Sequence, residues 1–103
     1  MPKGYWIGKV DIIEPEAYSN YAQAAKVAVK KYRGRYMIRG GAHEAVEGEW
    51  RSRHVMIEFD DYQTALDCYN SPDYQAAKLM RQGKAGADLL IIEGSDEEQT
   101  GGQ

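Results

Sequence analysis

The order of strand-like and helix-like segments constrains the fold of this chain more than any single residue. Four segments are rich in β-branched and aromatic side chains, which is typical of strands: residues 4–13, 35–48, 53–59 and 87–93. Apolar residues recur every three or four positions from Pro15 to about Tyr32, and Gly34 is a natural helix stop. Helical segments also begin near Asp60, in a capping box ending at Gln63, and at Ser71. The predicted order is therefore β-α-β-β-α-β.

Helices in this order cover one face of a four-stranded sheet, which gives an α+β, ferredoxin-like sandwich with residues 35–48 at an edge. The first strand is apolar on both faces, since Trp6 and Val10 alternate with Tyr5 and Ile7. The helices can cover only one of these faces. A second copy of the sheet is the simplest cover for the other, so we expect a homodimer.

Charge and length predict one domain over residues 1–94 and a disordered acidic tail over residues 95–103. The net charge is −3, and Asp96, Glu97 and Glu98 supply all of it. A charge-balanced body does not favour nucleic acid or membrane as a partner. No apolar stretch resembles a signal peptide or a membrane span, so we expect a cytoplasmic protein. Cys68 is the only cysteine and is expected to be a small buried hydrophobe.

The stretch from Arg39 through Gly40-Gly41 and His43 to Trp50 is the strongest candidate for a site. The paired glycines predict a bulge within the second strand, which would turn Arg39 and His43 away from the regular pleat. Arg39 either binds a carboxylate or enolate or pairs with a glutamate of the hairpin, Glu47 or Glu49. His43 is either a general acid or base or an exposed edge-strand residue. Trp50 either walls a pocket for an aromatic ligand or packs at an interface.

Further candidates lie on the third strand and on the helices. Glu58 is either a partly buried base or the partner of Lys9 on the neighbouring strand. His54 is interpreted as structural. The eight tyrosines include three that either line a pocket between helices and sheet or pack at the rim of a small core: Tyr21, Tyr69 and Tyr74. The spacing of the two histidines is not that of a metal site, and we expect neither a metal nor another cofactor.

Several short motifs, in order, resemble the family called domain of unknown function 1330. They are Gly4-Tyr5-Trp6-Ile7, Arg39-Gly40-Gly41, Val46-Glu47-Gly48-Glu49-Trp50, Ile57-Glu58-Phe59 and Tyr69-Asn70-Ser71-Pro72-Asp73-Tyr74. The resemblance covers residues 3–94 and implies a dimeric α/β-barrel in which two ferredoxin-like protomers pack sheet against sheet. The superfamily that it implies includes cofactor-independent monooxygenases, muconolactone isomerases and haem-binding members.

Two functions follow from these observations. The first is a cofactor-independent enzyme, monooxygenase-like or isomerase-like, that acts on a small aromatic or carbonyl compound. The second is a non-catalytic dimer that binds a small ligand or another partner. An RNA-binding role is disfavoured because the third strand offers only one aromatic side chain, Phe59, for stacking. We predict that Arg39 and His43 converge on one pocket bounded by Trp50 and a helix tyrosine.

Overall fold

The chain forms two strand–helix–strand units, β-α-β followed by β-α-β, and the second helical segment is broken in two. The elements of the computed structural model, which describes residues 2–95, are β1 (Gly4–Ile12), α1 (Pro15–Lys31), β2 (Arg35–Arg39), β3 (Arg53–Phe59), α2 (Tyr62–Tyr69), α3 (Pro72–Arg81) and β4 (Ala85–Glu93). The predicted order and the ferredoxin-like α+β fold are confirmed. None of the helices within this range is long and apolar enough to cross a membrane. The predicted tail lies outside the described residues except for Ser95.

The four strands form one antiparallel sheet in the order β2-β3-β1-β4, so β2 lies at an edge as predicted. One side of the sheet packs under the helices, and Trp6 and Val10 are buried there. We call this side the inner face. The other side, the open face, presents Ile7 from β1 and Leu90 and Ile92 from β4, all about half exposed. The expectation of a sheet that is apolar on both faces is confirmed.

The second strand is much shorter than predicted. It ends at Arg39, not at residue 48, because Gly40 adopts a positive φ of 73° that breaks the extended conformation. The register also shifts between Tyr36 and Ile38, so the bulge lies at Met37 and not at Gly40-Gly41. The residues between β2 and β3 form a loop that returns over the open face, where Trp50 lies beside the start of β3.

The bulge at Met37 decides which face of the sheet receives Arg39. Regular pairing from Arg35 and Glu58 onward would place Arg39 opposite His54, a residue of the open face. With one extra residue in β2, Arg39 is instead opposite Val55, which faces the helices. Arg39 therefore belongs to the inner face.

Local sequence signals account for the helix boundaries. The Ser71 hydroxyl accepts a hydrogen bond from the Tyr74 amide at 3.2 Å, as predicted for an N-cap before a proline. The second cap is Asp61 and not Asp60, and its carboxylate accepts from the Thr64 amide at 2.7 Å. The predicted capping box from Asp60 to Gln63 is therefore wrong: the helix is capped one residue later, and the Gln63 side chain donates to Asp67 instead.

The core is centred on Trp6, which three helices and β3 enclose. Its ring lies 5.3 Å from that of Phe59 and 4.9 Å from that of Tyr74, and its indole N–H donates to the Ala65 carbonyl at 2.9 Å. Cys68 is fully buried beside it, as predicted. Aromatic rings that also satisfy their polar atoms contribute much of the stability of a core this small.

Burial raises the pKa of the Cys68 thiol to about 12, from an ordinary value of 9.0. Because the folded state favours the neutral thiol, Cys68 contributes its full stabilisation at pH values below its pKa of 9.0 in the unfolded chain. This stabilisation is lost as the pH rises from 9 towards 12. We therefore expect the free energy of unfolding to fall between pH 8 and pH 10.5 more steeply for the wild type than for Cys68→Ala, as measured by urea titration. Parallel pH dependences would contradict a buried neutral thiol.

Candidate functional site

A cavity lies between α1 and the inner face of the sheet, with a volume of about 60 Å³. It exists because small residues occupy positions where larger ones would fill the space: Gly8, Ala22, Ala25 and Ala87. Gly8 is the decisive one, since it lies on β1 between the large inner-face residues Trp6 and Val10. This volume holds a few waters but is less than half of the roughly 150 Å³ in which benzene binds, so an aromatic ligand has to extend through the open side of the cavity, where Arg39 is exposed. We call it the inner cavity.

Three guanidinium groups line the inner cavity, from Arg39 on β2, Arg53 on β3 and Arg81 on α3. None of them has a carboxylate within ion-pair distance anywhere in residues 2–95. The Nε atom of Arg53 is buried and has no hydrogen-bond partner in that range. The remaining wall is largely apolar, with Trp6 and Ile57 among its members. The cavity therefore combines uncompensated positive charge with apolar surface.

Tyrosine hydroxyls form the second polar feature of the inner cavity. The Tyr21 hydroxyl lies 2.9 Å from that of Tyr74, and Arg81 Nη2 donates to the Tyr74 hydroxyl at 3.4 Å. Burial, reinforced by Tyr74, raises the pKa of Tyr21 well above its ordinary value. Burial also raises the pKa of Tyr36. Both hydroxyls therefore stay protonated and serve as hydrogen-bond donors rather than as bases.

Of the two residues predicted to converge on a pocket, only Arg39 reaches the inner cavity. His43 lies on the opposite side of the sheet, so the expected convergence of Arg39 and His43 is not found. The ion pair of Arg39 with Glu47 or Glu49 is also absent among the described residues. Arg39 instead stacks on the ring of Tyr36, at 4.8 Å from its centroid.

His43, His54 and Trp50 form an aromatic cluster on the open face. The ring centroids of the two histidines are 4.6 Å apart, and those of Trp50 and His54 are 5.8 Å apart. His43 itself is exposed, with Nδ1 3.1 Å from the Gly41 carbonyl. The predicted wall residue Trp50 thus lines a shallow groove of the open face rather than the inner cavity.

The other predicted site residues are distributed over different parts of the molecule. Tyr21 lines the inner cavity, and Tyr74 is fully buried directly behind it. Tyr69 lies outside, where a hydrogen bond from Lys78 at 3.0 Å lowers its pKa. Glu58 lies on the open face.

The preferred partner of Glu58 was predicted wrongly. Its carboxylate accepts hydrogen bonds from Tyr5 and from Arg35 Nε, both at 3.1 Å, and not from Lys9. The Lys9 ammonium instead lies 5.2 Å from the centroid of the Trp50 ring. Glu58 is therefore engaged in an ion pair between β3 and the edge strand β2, which does not favour its use as a base.

Sequence reasoning did not select Gly8, Arg53 or Arg81. Gly8 carried a usable signal, because a glycine between two large residues of a strand often marks a close approach or a gap. Arg53 also carried a signal, because residues two apart in a strand share a face and Val55 and Ile57 are apolar. Within residues 2–95 no cluster of three His, Cys, Asp or Glu side chains is arranged to hold a metal ion.

A sequence family described as Domain of unknown function (DUF1330) matches residues 3–95. The chain belongs to this family. No curated protein matches this DUF1330 chain in sequence. The family match confirms the resemblance drawn from the short motifs, and its boundaries agree with the predicted ones to within one residue.

Solved structures similar to this DUF1330 protein share its fold at low sequence identity. A protein of unknown function from Rhodopseudomonas palustris, RPA0582, is 15% identical with a TM-score of 0.73, over 93% of this chain and 85% of that one. SnoaB, a cofactor-independent oxygenase from Streptomyces nogalater, is 6% identical with a TM-score of 0.64, over 97% and 99%. A dimeric protein of ferredoxin-like fold and unknown function from Bacteroides fragilis is 12% identical with a TM-score of 0.60, over 88% and 95%.

Proposed function

We propose that the protein is a cofactor-independent enzyme, of the oxygenase or isomerase kind, that acts on a small aromatic or carbonyl compound in the inner cavity. The observation that carries this proposal is the cavity itself, a gap in the core kept open by Gly8 and the facing alanines and lined by guanidinium groups. A well-packed domain of this size has few such voids, and an unfilled one is costly. The shared fold of a cofactor-independent oxygenase supports the same assignment.

The cavity residues suit a substrate that ionises readily. A guanidinium beside a phenol or an enolisable ketone stabilises its conjugate base, and this stabilisation is strong in an apolar, water-poor site. The half-buried Arg53 and, at the exposed side of the cavity, Arg39 are the groups placed for that role, while the protonated Tyr21 hydroxyl can donate to a second oxygen. The resulting electron-rich anion can then react with O₂ or take up a proton at a different carbon.

A panel of phenols and aryl 1,3-diketones tests this function. We expect turnover of the panel members that ionise near neutral pH. An oxygenase reaction is measured as oxygen uptake with an oxygen electrode, and an isomerase reaction as deuterium incorporation from D₂O by NMR. Removing one stabilising donor of this kind lowers the rate by roughly 10²–10³-fold, so we expect the rate of Arg39→Gln to be lower than that of the wild type by a factor in this range. Arg33→Gln, which removes a charge on the protein surface, serves as the control.

Binding without catalysis is the second candidate, and one observation favours it. Among the described residues, the lining of the inner cavity includes no imidazole, and its one acidic residue, Asp88, has a carboxylate that accepts from Arg51 Nε at 2.9 Å. A substrate that needs a strong general base would bind there unchanged. Panel members that bind but show neither oxygen uptake nor deuterium exchange would establish this alternative.

We also propose that two copies pack through their open faces. The face exposes an apolar patch on β1, β2 and β4 that includes Ile7, Ile38, Leu90 and Ile92, each between 44% and 52% exposed. Contiguous patches of this kind mark interfaces. Structures of the same fold from Bacteroides fragilis and Thermobifida fusca are dimeric.

A further inference from the structure

The six arginines of the chain fall into two groups of three. One group forms ion pairs away from the inner cavity: Arg33 with Asp60, Arg35 with Glu58 and Asp60, and Arg51 with Asp11 and Asp88. The other group lines the inner cavity, and no carboxylate of residues 2–95 pairs with any of its members: Arg39, Arg53 and Arg81. Arginine side chains carry their charge at any physiological pH. The unpaired arginines are thus collected at one place.

Each cavity guanidinium is held against a tyrosine ring. The distances from guanidinium carbon to ring centroid are 4.8 Å for Arg39 on Tyr36, 5.8 Å for Arg53 on Tyr18, and 5.1 Å for Arg81 on Tyr21. A guanidinium over an aromatic ring gains a cation–π attraction that favours this position, and its N–H groups can still donate to a ligand. A site whose donors are oriented before the ligand arrives loses less entropy on binding.

Arg53 carries the clearest sign of a missing partner. Its Nε is buried without an acceptor among the described residues, although a buried charged donor is normally satisfied. Its guanidinium lies directly against the backbone of Gly40, where even one methyl group would overlap it. The backbone is therefore shaped to admit this side chain.

We propose that the inner cavity binds a small, flat organic carboxylate, with Arg53 and Arg39 donating to the carboxylate and Trp6 contacting the ring or unsaturated body. The arginine fork matches a planar carboxylate, and the apolar wall requires that the anion carry an apolar part. The inference depends on the proposed function for the location of the substrate and specifies the substrate's class.

Benzoate, its neutral analogue benzamide, and inorganic phosphate are the probes, with dissociation constants measured by NMR titration. We expect benzoate to bind at least tenfold more tightly than benzamide or phosphate. Arg53→Gln should weaken benzoate binding at least tenfold and change benzamide binding less than twofold. Arg35→Gln, which removes a paired arginine outside the cavity, should alter neither.

Three results would overturn the inference. Equal affinity for benzoate and benzamide would mean that the anion is not recognised, while the inner cavity and the proposed function would both stand. Tighter binding of phosphate would replace the carboxylate with another class of anion. Unchanged benzoate binding in Arg53→Gln would locate the anion elsewhere. If neither aromatic probe binds and the panel of ionisable substrates also shows no binding, the proposed function fails together with the inference.

Gly40 provides a second test, as a positioning residue for Arg53. Gly40 and Gly83 both have positive φ, 73° and 76°, so an alanine at either position meets the same backbone strain. Only at Gly40 does the added methyl group displace a guanidinium, because nothing lies within 4 Å of it at Gly83. We expect similar losses of melting temperature for Gly40→Ala and Gly83→Ala, but a rise of about fivefold or more in the benzoate dissociation constant for Gly40→Ala alone. Equal affinities in the two variants would refute the positioning role.

Discussion

Replacing Gly8 with valine is expected to abolish ligand binding in the inner cavity and to leave the protein folded. A Cβ atom at residue 8 would have Leu89 Cδ1 as its nearest neighbour, at 3.4 Å, and the Asp88 carbonyl oxygen at 3.7 Å. The branched side chain beyond it therefore enters the cavity, which holds only about 60 Å³. We expect the dissociation constant of any cavity ligand to rise at least about 100-fold, equivalent to roughly 3 kcal/mol.

The same substitution should not lower stability. Glycine in the interior of a strand is less favourable than a residue with a side chain, by about 0.5–1 kcal/mol relative to alanine. Valine also has a high strand propensity and fills a void. Thermal unfolding should give a melting temperature equal to or above that of the wild type. Gly41→Ala, where nothing lies within 4 Å of the added methyl group, is the control for substitution of a glycine elsewhere. Retained ligand affinity in Gly8→Val would show that binding occurs outside the inner cavity.

Replacing Leu90 with aspartate is expected to convert the proposed homodimer into a monomer. Leu90 lies opposite Ile7 across the pair β1–β4, on the open face, and is 52% exposed in the single chain. A dimer through this face would bury two unpaired carboxylates, one from each copy, which costs several kcal/mol. We expect the dimer dissociation constant to rise at least about 100-fold.

Analytical ultracentrifugation at micromolar concentration measures the effect. The wild type should sediment at twice the chain mass of 11.6 kDa, and Leu90→Asp at the chain mass. Leu79→Asp is the matched control, because Leu79 is 67% exposed on the outer surface of α3 and should leave the dimer intact. Dissociation in both variants, or in neither, would remove the open face as the interface.

Two of the structural features that were predicted correctly arise from interactions between residues close together in the chain. The alternation of Trp6, Gly8 and Val10 placed β1 correctly, because the side chains of a strand alternate strictly between its faces. The serine cap at Ser71 was likewise predictable, since its hydrogen bond joins residues three positions apart. Both signals depend only on near neighbours in the chain.

The division of the candidate site between two faces could not be predicted, because it depends on a register shift. Met37 has no property that marks it as a bulge, whereas Gly40-Gly41 has the composition usually associated with one. Moving the bulge from the glycines to Met37 transfers Arg39 from the face of His43 and His54 to the inner face. Arg39, Tyr21 and the residues from His43 to Trp50 were selected from the sequence, but their division between the two faces depends on strand pairing.

The same two-sided sheet gives the protein two separate optical reporters. Trp6 is 3% exposed and lines the inner cavity, whereas Trp50 is 59% exposed beside the open face. These are the only two tryptophans in the sequence. A molecule entering the inner cavity changes the emission of Trp6, and association through the open face changes the access of a collisional quencher to Trp50. Phenylalanine substitutions at each position therefore separate occupancy from assembly in unlabelled protein, by fluorescence alone.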